Sequence, residues 1–161
     1  MRIIQRGGRE MLTLWGYGSL DAAPPTARFF YVNIESGNAL FWALEDAGAI
    51  VGELYVFREL EDRDFADGVT TAYLCAFRVR EEYRGRGFGS RLMETSLADL
   101  RARGFRRATI GVGMDEEANK AMYRHMGFET EIKACYADPC AMDEQMRPRP
   151  DEGFLLLSKS L

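Results

Sequence analysis

Histidine occurs once, cysteine three times and proline five times in the 161 residues, and each shortage closes off a class of chemistry. His125 stands alone, and Cys135 and Cys140 have no second cysteine pair to join them. No zinc-ligand spacing results, and no metal is expected. Three cysteines, an odd number in a chain long enough to build an apolar core, argue against a disulfide framework and for a reducing cytoplasm. The longest purely apolar run, Ala39–Leu44, has six residues, whereas a membrane-spanning helix needs about 20. No membrane partner is expected. Met1-Arg2-Ile3-Ile4-Gln5-Arg6 has no apolar stretch followed by a cleavage site, so no secretory signal is expected. Excess positive charge is missing too: 21 Lys and Arg against 25 Asp and Glu give a net charge of −4. Sequence-independent nucleic-acid binding rests on neutralising phosphates, so no nucleic-acid partner is expected.

What is present suffices for a folded unit. Leu, Ile, Val and Phe together number 37, enough apolar surface to offset the entropy of ordering the chain. There is no internal repeat or low-complexity tract. Residues 1–161 read as a single domain, with irregular stretches at Gly16–Thr26 and Ala137–Gly153. Glu10–Trp15 suits a helix, and Ala27–Ile34 a helix or a strand. Ala39–Leu44 and Ala49–Phe57 flank a tight Asp/Gly turn and predict a hairpin. Thr70–Val79, rich in Thr, Tyr, Phe and Val, predicts a third strand. Phe88, Leu92, Met93, Leu97 and Leu100 then recur at helical spacing, with Gly104 as a stop. Ala108–Val112 predicts a strand, and Glu116–Met126 a helix capped by Asp115 and ended by Gly127. Phe154–Leu161 predicts the last strand. The strand–helix–strand segment must cross over right-handed, which makes its two strands parallel.

The most informative segment is Arg84-Gly85-Arg86-Gly87-Phe88-Gly89, between a predicted strand and a predicted helix. Its glycines let the backbone turn sharply and approach a ligand closely. The helix start behind them offers unpartnered N–H groups and the positive end of the helix dipole, a combination suited to phosphate. From Arg78 to Arg91 there are five Arg and two Glu, a local charge of +3 in an acidic chain. Neither the Walker loop nor the Rossmann glycine fingerprint fits this spacing.

At these residues the sequence resembles the GNAT acyltransferases, which use acetyl-CoA. Their loop, Arg/Gln-x-x-Gly-x-Gly/Ala after a strand, is matched by Arg84–Gly89, and the lead-in Phe77–Tyr83 is also similar. A second segment, Asn and Tyr on a late helix followed by Gly-Phe, is matched by Asn119, Tyr123, Gly127 and Phe128. The resemblance is strong over residues 79–129 and extends over a motif-bearing core of about 49–129. It implies an α/β fold of α+β type: a mixed, mostly antiparallel sheet flanked by helices, with a parallel strand pair at the cofactor site. It also implies an acetyl-CoA-dependent N-acetyltransferase acting on the primary amine of a small molecule by direct attack in a ternary complex. A non-catalytic acyl-CoA-binding module and a protein or peptide N-acetyltransferase are the alternatives. By the same resemblance Phe77, Arg78, Val79, Arg84, Gly85, Arg86, Gly87, Phe88, Gly89 and Asn119 bind the cofactor, and Tyr123 protonates the leaving thiolate. A phenol with an ordinary pKa of about 10 is protonated at neutral pH, as that role demands.

The general base is less legible. Thr71–Val79 contains no Asp or Glu. Glu53 on the preceding strand is the nearest candidate, with Tyr73, a water, or prior loss of the proton as alternatives; a solvated strand residue is the plain reading of Glu53. Cys75 reads as a small buried hydrophobe, and His125 as a surface residue at a helix end. Residues 58–67 carry a net −3, and lining the acceptor groove they would favour a cationic amine. A homodimer is one assembly left open.

Overall fold

In the computed structural model, which describes residues 1–161, the order is β1 (Arg2–Arg6), α1 (Gly8–Leu14), α2 (Pro25–Glu35), β2 (Ala39–Asp46), β3 (Ala49–Phe57), β4 (Thr71–Val79), α3 (Phe88–Ala102), β5 (Arg107–Gly113), α4 (Glu117–His125), β6 (Thr130–Met142) and β7 (Pro148–Ser160). The seven strands form one sheet in the order β1-β2-β3-β4-β5-β7-β6. All pairs are antiparallel except β4–β5, where α3 makes the crossover, as the strand–helix–strand pattern requires. No helix is long and apolar enough to cross a membrane.

Helices cover both faces of the sheet, which explains why β2 and β3 are continuous apolar runs and not alternating ones. On one face Leu54, Val56 and Leu74 meet Leu92 and Leu97 of α3 and Tyr123 of α4. On the other, Phe41, Tyr55 and Tyr73 meet Met11 of α1 and Phe30 of α2. Each of these core side chains is buried.

Two expectations are corrected and two open segments are settled. Arg2–Arg6 gave no strand signal, yet it forms β1 at the sheet edge, where Arg6 Nη2 and Arg2 Nη2 donate to Glu45 at 2.8 and 3.2 Å. The second irregular stretch is largely a long hairpin of β6 and β7. Its prolines misled because they signal turns. Here Pro139 lies on the edge strand, and Pro148 and Pro150 lie where β7 pairs with β6 alone, since β5 reaches only Phe154–Ser160. Proline is tolerated at such edges because no ladder N–H is lost. Ala27–Ile34 resolves to helix, opened by Pro25. Asp115 does not cap α4: the cap is Glu116, with no side-chain cap bond. At the far end of α4, Gly127 takes φ +101°, the left-handed conformation that ends a helix after its C-cap.

Candidate active site

The site starts from a one-residue irregularity in β4. Glu53 stands opposite Arg78 and Tyr55 opposite Cys75, so two steps along β3 answer three along β4. The extra residue makes a bulge at Ala76, whose φ of +51° is left-handed. Downstream, the Arg80 N–H donates to the Val51 carbonyl at 2.8 Å. Strand alternation then turns the main-chain groups of Phe77 and Val79 away from β3, toward β5. But β5 pairs with β4 only from Thr71–Arg107 to Leu74–Ile110; past that point Gly111–Gly113 pair with β7 alone. A wedge therefore opens between β4 and β5, with no strand paired to the Phe77–Val79 edge of β4 on that side. A β-branched residue at Ala76 strains this backbone: Ala76→Val is expected to lower stability by about 1–2 kcal/mol, read as a lower urea midpoint at unchanged m, with Ala76→Gly tolerated.

The glycine loop lies beyond the open end of β4. Gly87 takes φ +82° as the N-cap of α3, which has no side-chain cap. The N–H groups of Phe88, Gly89 and Ser90 consequently have no partner in the chain. Atoms built as a Cβ on Gly85 or Gly87 meet nothing within 4 Å, whereas one on Gly89 meets the Phe77 ring at 3.3 Å. Gly85 and Gly87 thus leave open space, while Gly89 lets α3 approach β4. Arg84 Nε donates to the Val79 carbonyl at 2.7 Å, tying loop to strand, and Arg86 lies over the Phe88 ring at 5.0 Å. Helix dipole, free N–H groups and arginines converge at this end, a place for an anion.

Tyr123 comes from α4, 9% exposed, edge-on to Phe128. Burial first, then Glu116 and Cys75, push its hydroxyl up to about 12, so it is protonated across the physiological range. Asn119, one turn earlier, is exposed and donates to Glu116 Oε2 at 2.8 Å. His125 is exposed at the end of α4.

Glu53 departs from its plain sequence reading. Glu53 is not solvated: it is 7% exposed, on the α1–α2 face of the sheet. Its Oε2 accepts from Tyr55 at 2.7 Å and from Trp15 Nε1 at 2.9 Å, and its Oε1 meets Arg78 Nε at 2.8 Å. Arg78 in turn lies over the Trp15 ring at 5.6 Å, so its side chain is drawn to the end of α1. Glu53→Ala leaves one buried donor, Tyr55, and one half-buried donor, Trp15, without an acceptor; a loss of about 3 kcal/mol in unfolding free energy is expected, at about 1.5 kcal/mol for each bond to a charged group, measured by denaturant titration.

On the α1–α2 face, a groove runs past the wedge. A cleft of about 690 Å³ bordered by Trp15, Glu53, Arg78, Arg80 and Arg84 shares Trp15, Thr26 and Arg78 with a second of about 350 Å³ that reaches Cys75, Ala76 and Asp138. Asp138 also borders a third, of about 470 Å³, with Tyr73, Glu116, Asp151 and Glu152. Cys75 is half-buried at this junction and Cys140 is buried beside it. All three cysteines are free, and no cluster of His, Cys, Asp or Glu is arranged to hold a metal ion. Asp138 was missed in sequence because it sits on β6, in a segment that offers no strand pattern. The acidic 58–67 connection contributes to none of these three clefts: Asp62 and Asp64 bind Lys133 at 2.7 and 3.0 Å, and Glu59 binds Arg63 at 3.0 Å.

Comparison with known proteins agrees with this geometry. No curated protein sequence matches the chain. Among solved structures, the ribosomal-protein-S18-alanine N-acetyltransferase from Escherichia coli is similar at 18% identity and a TM-score of 0.68, with 99% of this chain and 92% of that one covered. A spermidine N-acetyltransferase chimera, from Vibrio cholerae and a second source, is similar at 11% identity and a TM-score of 0.65, covering 99% and 96%. A GNAT family acetyltransferase from Elizabethkingia anophelis, with acetyl-CoA bound, is similar at 14% identity and a TM-score of 0.63, covering 99% and 97%. At these identities the likeness is one of fold. The model of the acetyltransferase (GNAT) family matches residues 9–128, from α1 through the wedge and glycine loop to Phe128, and the chain therefore belongs to the GNAT family of acyltransferases that use acetyl-CoA.

Proposed function

We propose that the protein is one acyltransferase domain that moves an acetyl group from acetyl-CoA to the primary amine of a small molecule, by direct attack in a ternary complex. The observation that carries this is the wedge, with the Phe77–Val79 edge of β4 unpaired by β5 along its side and the uncapped start of α3 beyond it; Cys75 of β4 and Glu116 are near enough to act on the Tyr123 hydroxyl. In this reading the main-chain N–H groups from Gly87 to Ser90 bind the pyrophosphate, with Arg84 and Arg86 adding charge. The main-chain groups of Phe77 and the Val79 N–H, unpaired by β5, hold the pantetheine amides and polarise the thioester oxygen. Asn119 borders the cofactor from α4. Acetyl-CoA supplies an activated thioester.

Tyr123 acts as a proton relay. A phenol near 12 does not surrender its proton outright to a thiolate whose conjugate acid lies near 8.5. The Tyr123 proton therefore passes to sulfur as the surplus proton on the new amide nitrogen replaces it. Glu53, with three donors already on its oxygens, is a positioning residue that fixes Trp15, Tyr55 and Arg78 along the acceptor groove. Clefts of 350–690 Å³ match the roughly 300–1,000 Å³ of small-molecule sites.

The test is thiol release from acetyl-CoA with a panel of diamines, amino sugars, amino acids and peptides. Amine-dependent thiol release with a small amine is the expected result. Release with peptides alone overturns the small-molecule reading; tight acetyl-CoA binding without release for any acceptor leaves a non-catalytic binding module.

A further inference from the structure

The groove changes sign along its length. Arg78, Arg80 and Arg84 border one end. Glu116, Asp138, Asp151 and Glu152 border the other, with no lysine or arginine among the residues that line it. Carboxylates at a surface are ordinarily just solvated, but a second observation gives this end a purpose. Tyr73 is 5% exposed, engages in no hydrogen bond through its hydroxyl, and borders the acidic cleft. Gly111 beside it has no side chain, and a Cβ there would come within 3.2 Å of that hydroxyl. A side chain more than nine-tenths buried thus presents its hydroxyl to the cleft with no hydrogen-bond partner in the chain.

We propose that Asp138 seats the ammonium group of the acceptor and takes its proton, and that the acceptor is a compact amine carrying a second positive charge. This rests on the acetyltransferase reading above. Asp138 is the only carboxylate that borders both the acidic cleft and the cleft at the Ala76 bulge, where the wedge opens onto this face. The carboxyl is held in place by the Cys140 N–H, at 2.9 Å from Oδ1, and by the Ala141 N–H. Burial, assisted by Asp151, pushes the carboxyl above its usual range, which makes it a stronger base than an exposed aspartate. The groups around it are Tyr73 and Cys75 from β4, Cys140 on its own strand, Asp151 and Glu152 from β7, Glu116 ahead of α4, and Arg78 across the bulge cleft; Arg149 is its cross-strand neighbour. The nearer groups are carboxylates or neutral, so a dication is attracted along the cleft while a carboxylate-bearing amine is repelled.

The protons balance as follows. The ammonium gives one proton to Asp138, and the freed nitrogen bonds to the thioester carbonyl carbon as the carbon–sulfur bond breaks. Sulfur takes the Tyr123 proton, the surplus nitrogen proton returns to Tyr123, and Asp138 releases its own proton to solvent.

The test uses 1,4-diaminobutane and butylamine as probes, with the full chain saturated with CoA for binding and with acetyl-CoA for turnover. Asp138→Asn keeps an oxygen for the Cys140 N–H. It is expected to leave CoA affinity unchanged, to weaken diaminobutane binding at least 10-fold by calorimetry, and to lower kcat/KM about 10²-fold or more. Wild type should lose activity as pH falls through the raised carboxyl value, and that acidic limb should vanish in the variant. Diaminobutane should outcompete butylamine, and Asp151→Asn with Glu152→Gln should erase that preference chiefly through KM, an arm that stands even if Asp138→Asn fails to fold. Should wild type acetylate diaminobutane while Asp138→Asn matches it within twofold, the inference falls and the acetyltransferase reading stands. Should wild type bind diaminobutane through Asp138 and release no thiol with any amine, the seating role stands, while the proton transfer falls together with the acetyltransferase reading. Absence of diaminobutane binding to the CoA-saturated protein overturns the inference outright.

Discussion

Replacing Tyr123 by Phe is expected to lower kcat about 10²–10⁴-fold, the usual weight of a positioned proton donor, while acetyl-CoA affinity changes little. The substitution removes one hydroxyl and no ring volume. The ring stays edge-on to Phe128 in the core beneath α4, and the hydroxyl has no hydrogen-bond partner in the chain whose loss would destabilise the fold. Equal falls in kcat and kcat/KM are the signature of an interaction made only in the transition state. Because burial holds the phenol near 12, the neutral form persists as pH rises, and an alkaline loss of rate from this group is expected only near that value. Turnover within a few-fold of wild type, measured where chemistry limits the rate, would make Tyr123 a packing residue.

Gly87→Val is expected to weaken acetyl-CoA binding by an order of magnitude or more, about 1.4 kcal/mol at least. Two effects act together. Gly87 takes φ +82°, a left-handed conformation that valine reaches only under strain. The new side chain also enters the open space before the first N–H groups of α3, which a phosphate must approach closely. Calorimetry with acetyl-CoA reads the affinity, and circular dichroism confirms that α3 persists. Unchanged affinity in a folded variant would remove the loop from the pyrophosphate site.

Much of this protein was legible in its residues because the signals are local. The glycine loop, the helical spacing of Leu92, Leu97 and Leu100, and the Asn119/Tyr123 pair each depend on neighbours within a few positions, so spacing alone places them. β2 and β3 were legible as apolar runs around a tight turn. What remained hidden depends on partners far along the chain. β1 exists because Glu45, 39 residues beyond Arg6, draws both arginines onto the sheet edge. β6 and the start of β7 carry prolines that suit an edge and nothing else, and only the sheet order makes them one. Glu53 reads as an ordinary polar strand residue; Trp15 and Arg78 make it a buried anchor. The bulge at Ala76 is invisible in Thr71–Val79, because bulges arise from register with a neighbouring strand and not from composition. Asp138 lies 60 residues from Arg78 in sequence and borders the same cleft. The amino-acid order by itself determined the glycine-loop end, the proposed cofactor site, since an anion site of free N–H groups is built from consecutive residues. Tertiary structure alone decided the acidic end of the groove, the proposed acceptor site, where side chains from β4, β6, β7 and the start of α4 meet only after the sheet has formed.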